Sequence, residues 1–270
     1  MNKYCIIGAR SGSKSVKNKN IQTINGRSLL TICVEKALKC GVYNKIYISS
    51  DAEFYKQFLP KHCDVEFILR PIAIAQDTST EIEYMSHIIK YKEINPESLI
   101  SRMQCTSPFQ SILSMRNAVM RLQDNLNEIQ SVQLVSLTSP SIDKIMFKCE
   151  KTGLLSTSNI RGSICPSNRQ SLQKSYFRSN FYVTTAANIL SGKLLGHQSY
   201  GLECENREKI DIDTEIVYSS KLCDNDLRGL DKIIYILKKI NTTRYITSNG
   251  PGASRYIDEN IFKDNHIELI

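Results

Sequence analysis

The chain has 270 residues, of which 41% are hydrophobic and 23% charged, a composition typical of globular proteins and not of disordered or fibrous ones. With 35 Lys and Arg against 27 Asp and Glu, its formal net charge of +8 suits a polyanionic ligand, a class that includes nucleotides, nucleic acid and anionic lipid. The sequence has no run of five basic residues, no zinc-finger spacing and no apolar stretch near the ~20 residues that span a bilayer, so we expect no nucleic-acid partner and no membrane partner.

Nine cysteines are spread along the chain, and none belongs to a C-x-x-C pair. An odd count without paired spacing argues against a disulfide framework and against a structural zinc site. Cys5, Cys33 and Cys105 lie within apolar runs, which is typical of reduced cysteines in a protein core. The sequence therefore predicts a cytoplasmic protein.

The first element is a short apolar segment, residues 4–7, which predicts a buried strand that ends at Gly8 and runs into a loop. The apolar spacing over 28–40 predicts a helix, with Ser28 as its N-cap and Gly41 as its C-terminal stop. The same patterns then predict, in order, a strand over 45–49, a short helix over 52–59, a strand over 65–69, a helix over 80–91 capped by Thr78 or Ser79, a strand over 99–105, a helix over 111–122 and a strand over 130–137.

This alternation predicts an α/β fold with a doubly wound, mostly parallel sheet. Such sheets bind ligands at the carboxyl ends of their strands. Polar clusters follow four of the predicted strands, at residues 9–14, 49–51, 70–77 and 104–108. We therefore expect a binding site where these four clusters meet.

Beyond residue 137 the pattern is less regular. Residues 138–178 are rich in Ser, Lys and Arg, and we interpret them as a small arm outside the sheet, used for dimerisation or for binding an acceptor. A strand is predicted at 180–183 and an amphipathic helix at 227–240. We divide the chain into a main domain over 1–225, which includes the arm, and a C-terminal helix and tail over 226–270.

The loop after the first strand contains small residues, whose backbone N–H groups can bind an anion, and two cations, Arg10 and Lys14. Lys19 and Asn20 follow, a further cation and an amide that can read the edge of a base. The loop matches neither the Walker A nor the Rossmann pattern. On the residues alone, a phosphate site and a solvated basic turn both stay open.

Asp211 and Asp213 are two residues apart, so in an extended segment their carboxylates point to the same face. Converging carboxylates suit Mg²⁺, which prefers carboxylate and phosphate oxygens. The alternative is a solvated turn in which the neighbouring isoleucines pack inward.

Six segments, in chain order, resemble the motifs of the CMP-acylneuraminate synthetase family. They are A-R-S-G-S-K-x-x-x-N-K-N-I-x-x-x-x-G-x-x-L-L over 9–30, I-S-S-D at 48–51, L-R-P with A-Q-D-T over 69–78, Q-C-T-S-P at 104–108, R-Q at 169–170 and I-D-I-D-T-E at 210–215. The resemblance covers residues 4–225. It implies a fold like that of nucleotide-diphospho-sugar transferases and a homodimer.

The resemblance also implies an activity: CMP moves from CTP to the anomeric hydroxyl of a nonulosonic acid, a sialic acid-like 2-keto acid sugar, with Mg²⁺ as cofactor and pyrophosphate as the product. The implied catalytic residues are Arg10, Lys19, Gln104 and Asp211, and the implied metal ligands are Asp211 and Asp213. The implied CTP contacts are Ala9, Arg10, Ser11, Gly12, Ser13, Lys14, Asn20, Arg70, Asp77, Thr78, Ser79 and Thr80. The implied sugar contacts are Gln104, Arg169, Arg178, Asn180 and Tyr182.

Simpler roles stay open for several of these residues. Gln104 can be a strand-end residue bonded to backbone, and Arg169 and Arg178 can be surface charges. The sequence also departs from the family, which usually has Pro where Gly8 and Cys105 stand and Asn-Gly within the segment at 177–182. This last departure keeps two alternatives open: a cytidylyltransferase of the same fold for another anionic acceptor in surface-glycan synthesis, and a non-catalytic nucleotide-binding protein.

Overall fold

The structure is a computed structural model, and it describes residues 1–13, 18–24, 26–137, 146–148, 155–157, 174–212, 244–245 and 268–269. In these residues seven strands form the central sheet: β1 (Lys3–Gly8), β2 (Lys45–Ser50), β3 (Val65–Leu69), β4 (Leu99–Gln104), β5 (Ser131–Leu137), β6 (Tyr176–Thr185) and β7 (Ser199–Glu203). The α-helices of the described residues are α1 (Leu29–Cys40), α2 (Glu81–Tyr91), α3 (Ile112–Asp124) and α4 (Ala186–Leu190).

Shorter elements complete the described chain. Short 3-10 helices cover Lys19–Ile21, Glu53–Phe58, Ile72–Ile74 and Asn206–Lys209. Short strands pair Thr23–Ile24 with Arg27–Ser28, Met146–Lys148 with Leu155–Thr157, and Arg244–Tyr245 with Glu268–Leu269.

The strand order of the central sheet is β7-β5-β6-β4-β1-β2-β3. Only β6 runs antiparallel to its neighbours, β4 and β5, and the other pairs of adjacent strands are parallel. The predicted α/β class with a mostly parallel sheet is therefore confirmed. In the register of the central strands, Gly8 lies opposite both Ser49 and Gln104, so three of the predicted polar clusters begin side by side.

Helices cover both faces of the sheet, as a doubly wound fold requires. Alternate residues of β1 belong to opposite cores: Cys5 and Ile7 pack with α1 and α3, whereas Ile6 packs with α2 and α4. The three cysteines expected in the core, Cys5, Cys33 and Cys105, are all buried. Burial raises the pKa of the Cys5 thiol well above its ordinary value, because the thiolate would lose its hydration.

The helix caps agree in part with the sequence. Ser28 is the N-cap of helix α1, and its hydroxyl accepts a hydrogen bond from the Thr31 N–H; the C-cap is Gly41, whose φ of 68° is left-handed. The predicted cap of α2 at Thr78 or Ser79 is wrong. Thr80 is the N-cap and forms a capping box with Glu83, because the helix starts one residue later than predicted.

Between residues 174 and 212 the predicted boundaries change most. Strand β6 starts at Tyr176, so residues 176–178 belong to the central sheet and not to the arm. Neither β7 nor α4 is predicted from the sequence. The segment with Asp211 is not a strand and follows the 3-10 turn Asn206–Lys209. The predicted helix at 227–240 lies outside the described residues, as does most of the arm.

Candidate nucleotide-binding site

A cleft opens at the carboxyl ends of β1 and β4, where the sequence places the polar clusters. Its lining residues are Gly8, Arg10, Ser13, Lys19, Asn20, Arg70, Ser79, Thr80, Glu81, Tyr84, Arg102, Gln104 and Thr106. Four of them are cations, three from predicted site positions and one, Arg102, from a position that the sequence analysis does not single out. A cleft with this charge attracts anions.

The loop after β1 is held in place by side chains from two other segments. The N–H and hydroxyl of Ser11 donate to the Asp51 carboxylate, at 2.8 and 2.6 Å. The Asn20 amide donates to the carbonyl of Arg10 at 2.9 Å, and Arg10 itself forms an ion pair with Asp77 at 2.6 Å. The loop is therefore held by Asn20 and Asp77, which the sequence predicts as site residues, and by Asp51, which the sequence analysis names only as part of a polar cluster after a strand.

The same contacts act on the pKa of the Asp51 carboxyl group. Partial burial acts to raise the pKa of Asp51, but the hydrogen bonds from Ser11 and from its own backbone N–H, with the charge of Arg70, together hold the pKa below its ordinary value. The carboxylate that organises the loop thus stays ionised at neutral pH.

Arg70 lies deep in the cleft and is only 5% exposed. Its guanidinium donates to the hydroxyl and the carbonyl of Ser49, both at 2.9 Å, and lies 4.4 Å from the centre of the Tyr84 ring. Burial lowers the pKa of Arg70, since water no longer solvates the cation. These contacts fix the position of the guanidinium before any ligand arrives.

Tyr84 also explains why glycine stands at position 8. A Cβ atom at Gly8 would lie 2.8 Å from Cζ of Tyr84, closer than carbon atoms normally approach. The departure from the family's usual Pro therefore has a physical reason, because the ring occupies the space that a larger residue would need.

Arg102 is a residue of the cleft that the sequence analysis missed. It forms an ion pair with Glu81 and donates to the carbonyl of Asn180 at 3.0 Å, and its side chain is 12% exposed. The hydroxyl of Tyr182 donates to the same Glu81 carboxylate at 3.1 Å. A signal was present: Arg102 is a charged residue within an otherwise buried strand, two positions before Gln104 and thus on the same face.

Gln104 and Asp211 meet at the end of β4, although 107 residues separate them. The Gln104 amide donates to Oδ2 of Asp211 at 3.0 Å. The N–H of Ile212 donates to the carbonyl of Thr106 at 2.8 Å, which attaches the Asp211 segment beside the strand end. The simpler role for Gln104, a side chain bonded to backbone, does not describe this contact.

The remaining predicted residues divide into three groups. Ala9 is buried directly after β1, while Gly12, Asp77 and Thr78 are exposed near the cleft. Of the predicted sugar contacts, Asn180 donates to the Ser107 hydroxyl at 2.9 Å, Tyr182 is 1% exposed and lies beneath the cleft, and Arg178 is exposed on β6 outside it. Lys14, Arg169 and Asp213 lie outside the described residues.

The fold and the cleft together define an α/β protein with a basic cleft at the carboxyl ends of its strands, which is suited to an anionic ligand. Comparison with known families shows which one: the model of a cytidylyltransferase family matches residues 4–200, and the chain belongs to this family. A second family model, described as WbqC-like, matches residues 166–270.

Individual relatives agree with this assignment. The chain is 27% identical over 98% of its length to an N-acylneuraminate cytidylyltransferase from Escherichia coli, and it covers 64% of that protein. It is 31% identical over 52% of its length to a pseudaminic acid cytidylyltransferase and UDP-2,4-diacetamido-2,4,6-trideoxy-β-L-altropyranose hydrolase from Helicobacter pylori, and it covers 26% of that protein. The chain thus spans less than two thirds of the length of both proteins.

Among solved structures, a CMP:2-keto-3-deoxy-manno-octonic acid synthetase complexed with CTP matches 79% of this chain and 94% of its own, with a TM-score of 0.57 and 12% identity. At this identity the match shows the fold alone, which is the nucleotide-diphospho-sugar transferase-like fold that the resemblance implies. Within the described residues, no helix is long and apolar enough to cross a membrane.

Proposed function

We propose that this chain transfers CMP from CTP to the anomeric hydroxyl of a nonulosonic acid and releases pyrophosphate. The observation that carries the proposal is the contact between Gln104 and Asp211 at the end of a cleft lined by Arg10, Lys19 and Arg70. A site of this kind has cations for a triphosphate and, beside them, a carboxylate with an amide. The names of the relatives support the choice of CTP and of an acidic sugar.

In this proposal the loop after β1 binds the triphosphate. Arg10, Ser13 and Lys19 line the cleft, and their two cationic groups and one hydroxyl can bind phosphate oxygens. Arg10 would exchange its ion pair with Asp77 for a phosphate, a shift that the partial exposure of both side chains, 33% and 36%, permits. Lys14 would add a further cation.

The nucleoside lies, in this proposal, at the side of the cleft formed by Asn20, Arg70 and the start of α2. Arg70 cannot move far, because Ser49 and Tyr84 hold it on two sides. Ser79 and Thr80 line the cleft immediately before α2, where their side chains can contact the base and ribose. Rigid donors such as Arg70 favour one base, because a base with a different edge would leave these donors without acceptors.

We propose Mg²⁺ as the cofactor, held by Asp211 together with Asp213. The chemistry of the donor set fits the ion, since Asp211 is a half-buried carboxylate beside a cleft suited to phosphates, and Mg²⁺ takes carboxylate and phosphate oxygens. When bound, the ion would neutralise charge on the departing pyrophosphate. Gln104 would fix the orientation of the Asp211 carboxylate through its amide and orient the sugar hydroxyl toward the α-phosphorus.

The test is turnover of CTP with a panel of acceptors. Purified protein, CTP and Mg²⁺ are incubated with sialic, legionaminic and pseudaminic acids, and pyrophosphate release is measured, with UTP and ATP as nucleotide controls. We expect release with CTP and at least one nonulosonic acid. The absence of release with every 2-keto acid sugar would refute the acceptor, and the absence of CTP binding by calorimetry would favour the non-catalytic alternative.

A second candidate keeps the CTP site and changes the acceptor to another anionic metabolite. The observation that favours it is the segment at 177–182, which departs from the family and contains an irregular register between Arg178 and Tyr182. In addition, Tyr182, which the sequence predicts as a sugar contact, is buried under the cleft. CTP binding without turnover of any nonulosonic acid supports this candidate.

We also propose a homodimer. Leu137 and Tyr176 are paired on β5 and β6, Phe177 follows Tyr176, and the three side chains are 48%, 40% and 58% exposed, an apolar group where these strands border the segment between them. Apolar residues in contiguous exposed positions often mark an interface. Light scattering checks the mass, and a monomer at micromolar concentration would refute the dimer.

A further inference from the structure

Glu208 is a buried carboxylate outside the cleft, and neither the motifs nor the proposed reaction gives it a role. It is 1% exposed and lies in the 3-10 turn Asn206–Lys209, three residues before Asp211. Acidic side chains are almost never fully buried unless their charge is compensated. The groups around Glu208 must therefore compensate its charge.

The carboxylate is satisfied at the start of α3. Oε2 accepts hydrogen bonds from the Gln110 amide at 2.6 Å and from the N–H of Ser111 at 2.9 Å, and Oε1 accepts one from the Ser114 hydroxyl at 2.8 Å. Ser111 is the N-cap of α3, so the negative charge also lies at the positive end of the helix dipole. Together these groups replace the water that burial removes.

The same cluster reaches a third element, strand β6. The hydroxyl of Ser179 lies 2.9 Å from Oε1 of Gln110 and 3.2 Å from the carbonyl oxygen of Glu208, two acceptors that share its proton. On the other side, the ammonium group of Lys36 donates to the carbonyls of Pro108 and Gln110 at 2.5 and 2.7 Å. The 108–111 loop is thus tied to α1, to β6 and to the turn with Glu208.

This network fixes the chain on both sides of Asp211. Before it, Glu208 anchors the turn to α3, and after it, the N–H of Ile212 bonds to the carbonyl of Thr106. Ile210 is also buried, at 9% exposure. Asp211 therefore projects from a short segment whose ends cannot shift independently of α3 and of the end of β4.

We propose that Glu208 is a positioning residue, whose buried carboxylate holds Asp211 against Gln104 in the geometry that the nucleotide-bound metal ion requires. The inference rests on the proposed function. It differs from a purely structural role because it acts through Asp211, and it leaves the loop after β1 and Arg70 untouched. Groups that orient a metal ligand from behind typically change metal affinity or activity about 10- to 100-fold when they are mutated.

The test replaces Glu208 with Gln. The change keeps the size of the side chain but removes its charge and places an amide N–H₂ at one of the two oxygen positions. An N–H₂ group cannot accept the hydrogen bonds that the oxygen accepts there, so the attachment to α3 is weakened. We expect turnover to fall at least about 10-fold and the Mg²⁺ concentration that gives the half-maximal rate to rise. The dissociation constant of CTP measured without metal should stay within about 2-fold of the wild-type value. By calorimetry, the gain in CTP affinity on adding Mg²⁺ should shrink.

Three further variants make the result decisive. Glu203→Gln is the matched control, because Glu203 is an exposed carboxylate five residues away, and its Mg²⁺ response should equal that of the wild type. Asp211→Asn should show the same loss of the Mg²⁺ effect on CTP binding, and adding Glu208→Gln to it should cost nothing more, since both act through one carboxylate. If Glu208→Gln does not fold, Ser179→Ala decides, with a smaller change in the same direction.

A wild-type Mg²⁺ response in a folded Glu208→Gln, or additive losses in the double variant, would overturn the inference. If Glu208→Gln does not fold, an unchanged Mg²⁺ response in Ser179→Ala would also overturn the inference. A wild-type protein that neither binds CTP nor releases pyrophosphate refutes the proposed function instead, so the two failures are distinguishable.

Discussion

Replacing Arg102 with Met should destabilise the protein and damage the cleft, because Arg102 and Glu81 form an ion pair in its lining. The Arg102 side chain is 12% exposed, and its loss removes the cation that pairs with Glu81 and the donor to the carbonyl of Asn180. Removing one partner of a fully buried ion pair costs about 3–5 kcal/mol. Since the Glu81 side chain is 31% exposed, water can replace part of the interaction, and we expect a loss of about 2–3 kcal/mol.

The assay is urea unfolding followed by far-ultraviolet circular dichroism, with Arg27→Met as the control. Arg27 pairs with Glu35 at the surface, where its side chain is 50% exposed, and losing such a pair costs at most about 1 kcal/mol. The double variant Arg102→Met with Glu81→Met removes both charges and should regain about 1–3 kcal/mol relative to the sum of the single losses. In the folded Arg102→Met protein, KM for CTP should rise, because Glu81 follows the cleft residue Thr80.

Stability of Arg102→Met within about 0.5 kcal/mol of the wild type would refute this reasoning, since surface changes have effects of that size. Additive losses in the double variant would show that Arg102 and Glu81 do not stabilise each other.

The other predictions concern the cleft and its loop. Asp211→Asn should reduce pyrophosphate release about 100-fold or more, and a near-normal rate would exclude Asp211 from the site. Gly8→Ala should cost about 1–3 kcal/mol in thermal or urea unfolding, because its Cβ would lie 2.8 Å from Tyr84, and adding Tyr84→Leu should recover part of that loss. The pKa of Asp51 is lowered in the folded state, so its stabilising contribution is present above about pH 4 and is lost as the pH falls through the folded pKa. The urea midpoint should therefore fall more steeply between about pH 5 and 3 in the wild type than in Asp51→Asn; parallel curves would contradict this.

Local patterns are sufficient to predict most of the first 137 residues. Apolar spacing and capping chemistry act within a few residues, which is why helix α1, with its caps Ser28 and Gly41, and the succession of strands and helices along the chain follow from the sequence. Because parallel strands end at one edge of the sheet, the sequence also predicts that its polar clusters meet there.

Beyond residue 137 the same reasoning fails more often, since β6 inserts between two strands that precede it, and that position depends on pairings remote in sequence. The start of β6 at Tyr176, and the existence of β7 and α4, have no strong local signal.

What the sequence by itself determined is the class of the sheet, the loop after β1 and the set of charged residues at the strand ends. Only the tertiary structure decided which of them meet: Gln104 with Asp211, Arg102 with Glu81, and Glu208 with the start of α3. The physical reason is that local preferences arise from neighbouring residues along the chain, whereas these contacts join residues that only the packing of distant elements brings within hydrogen-bond distance.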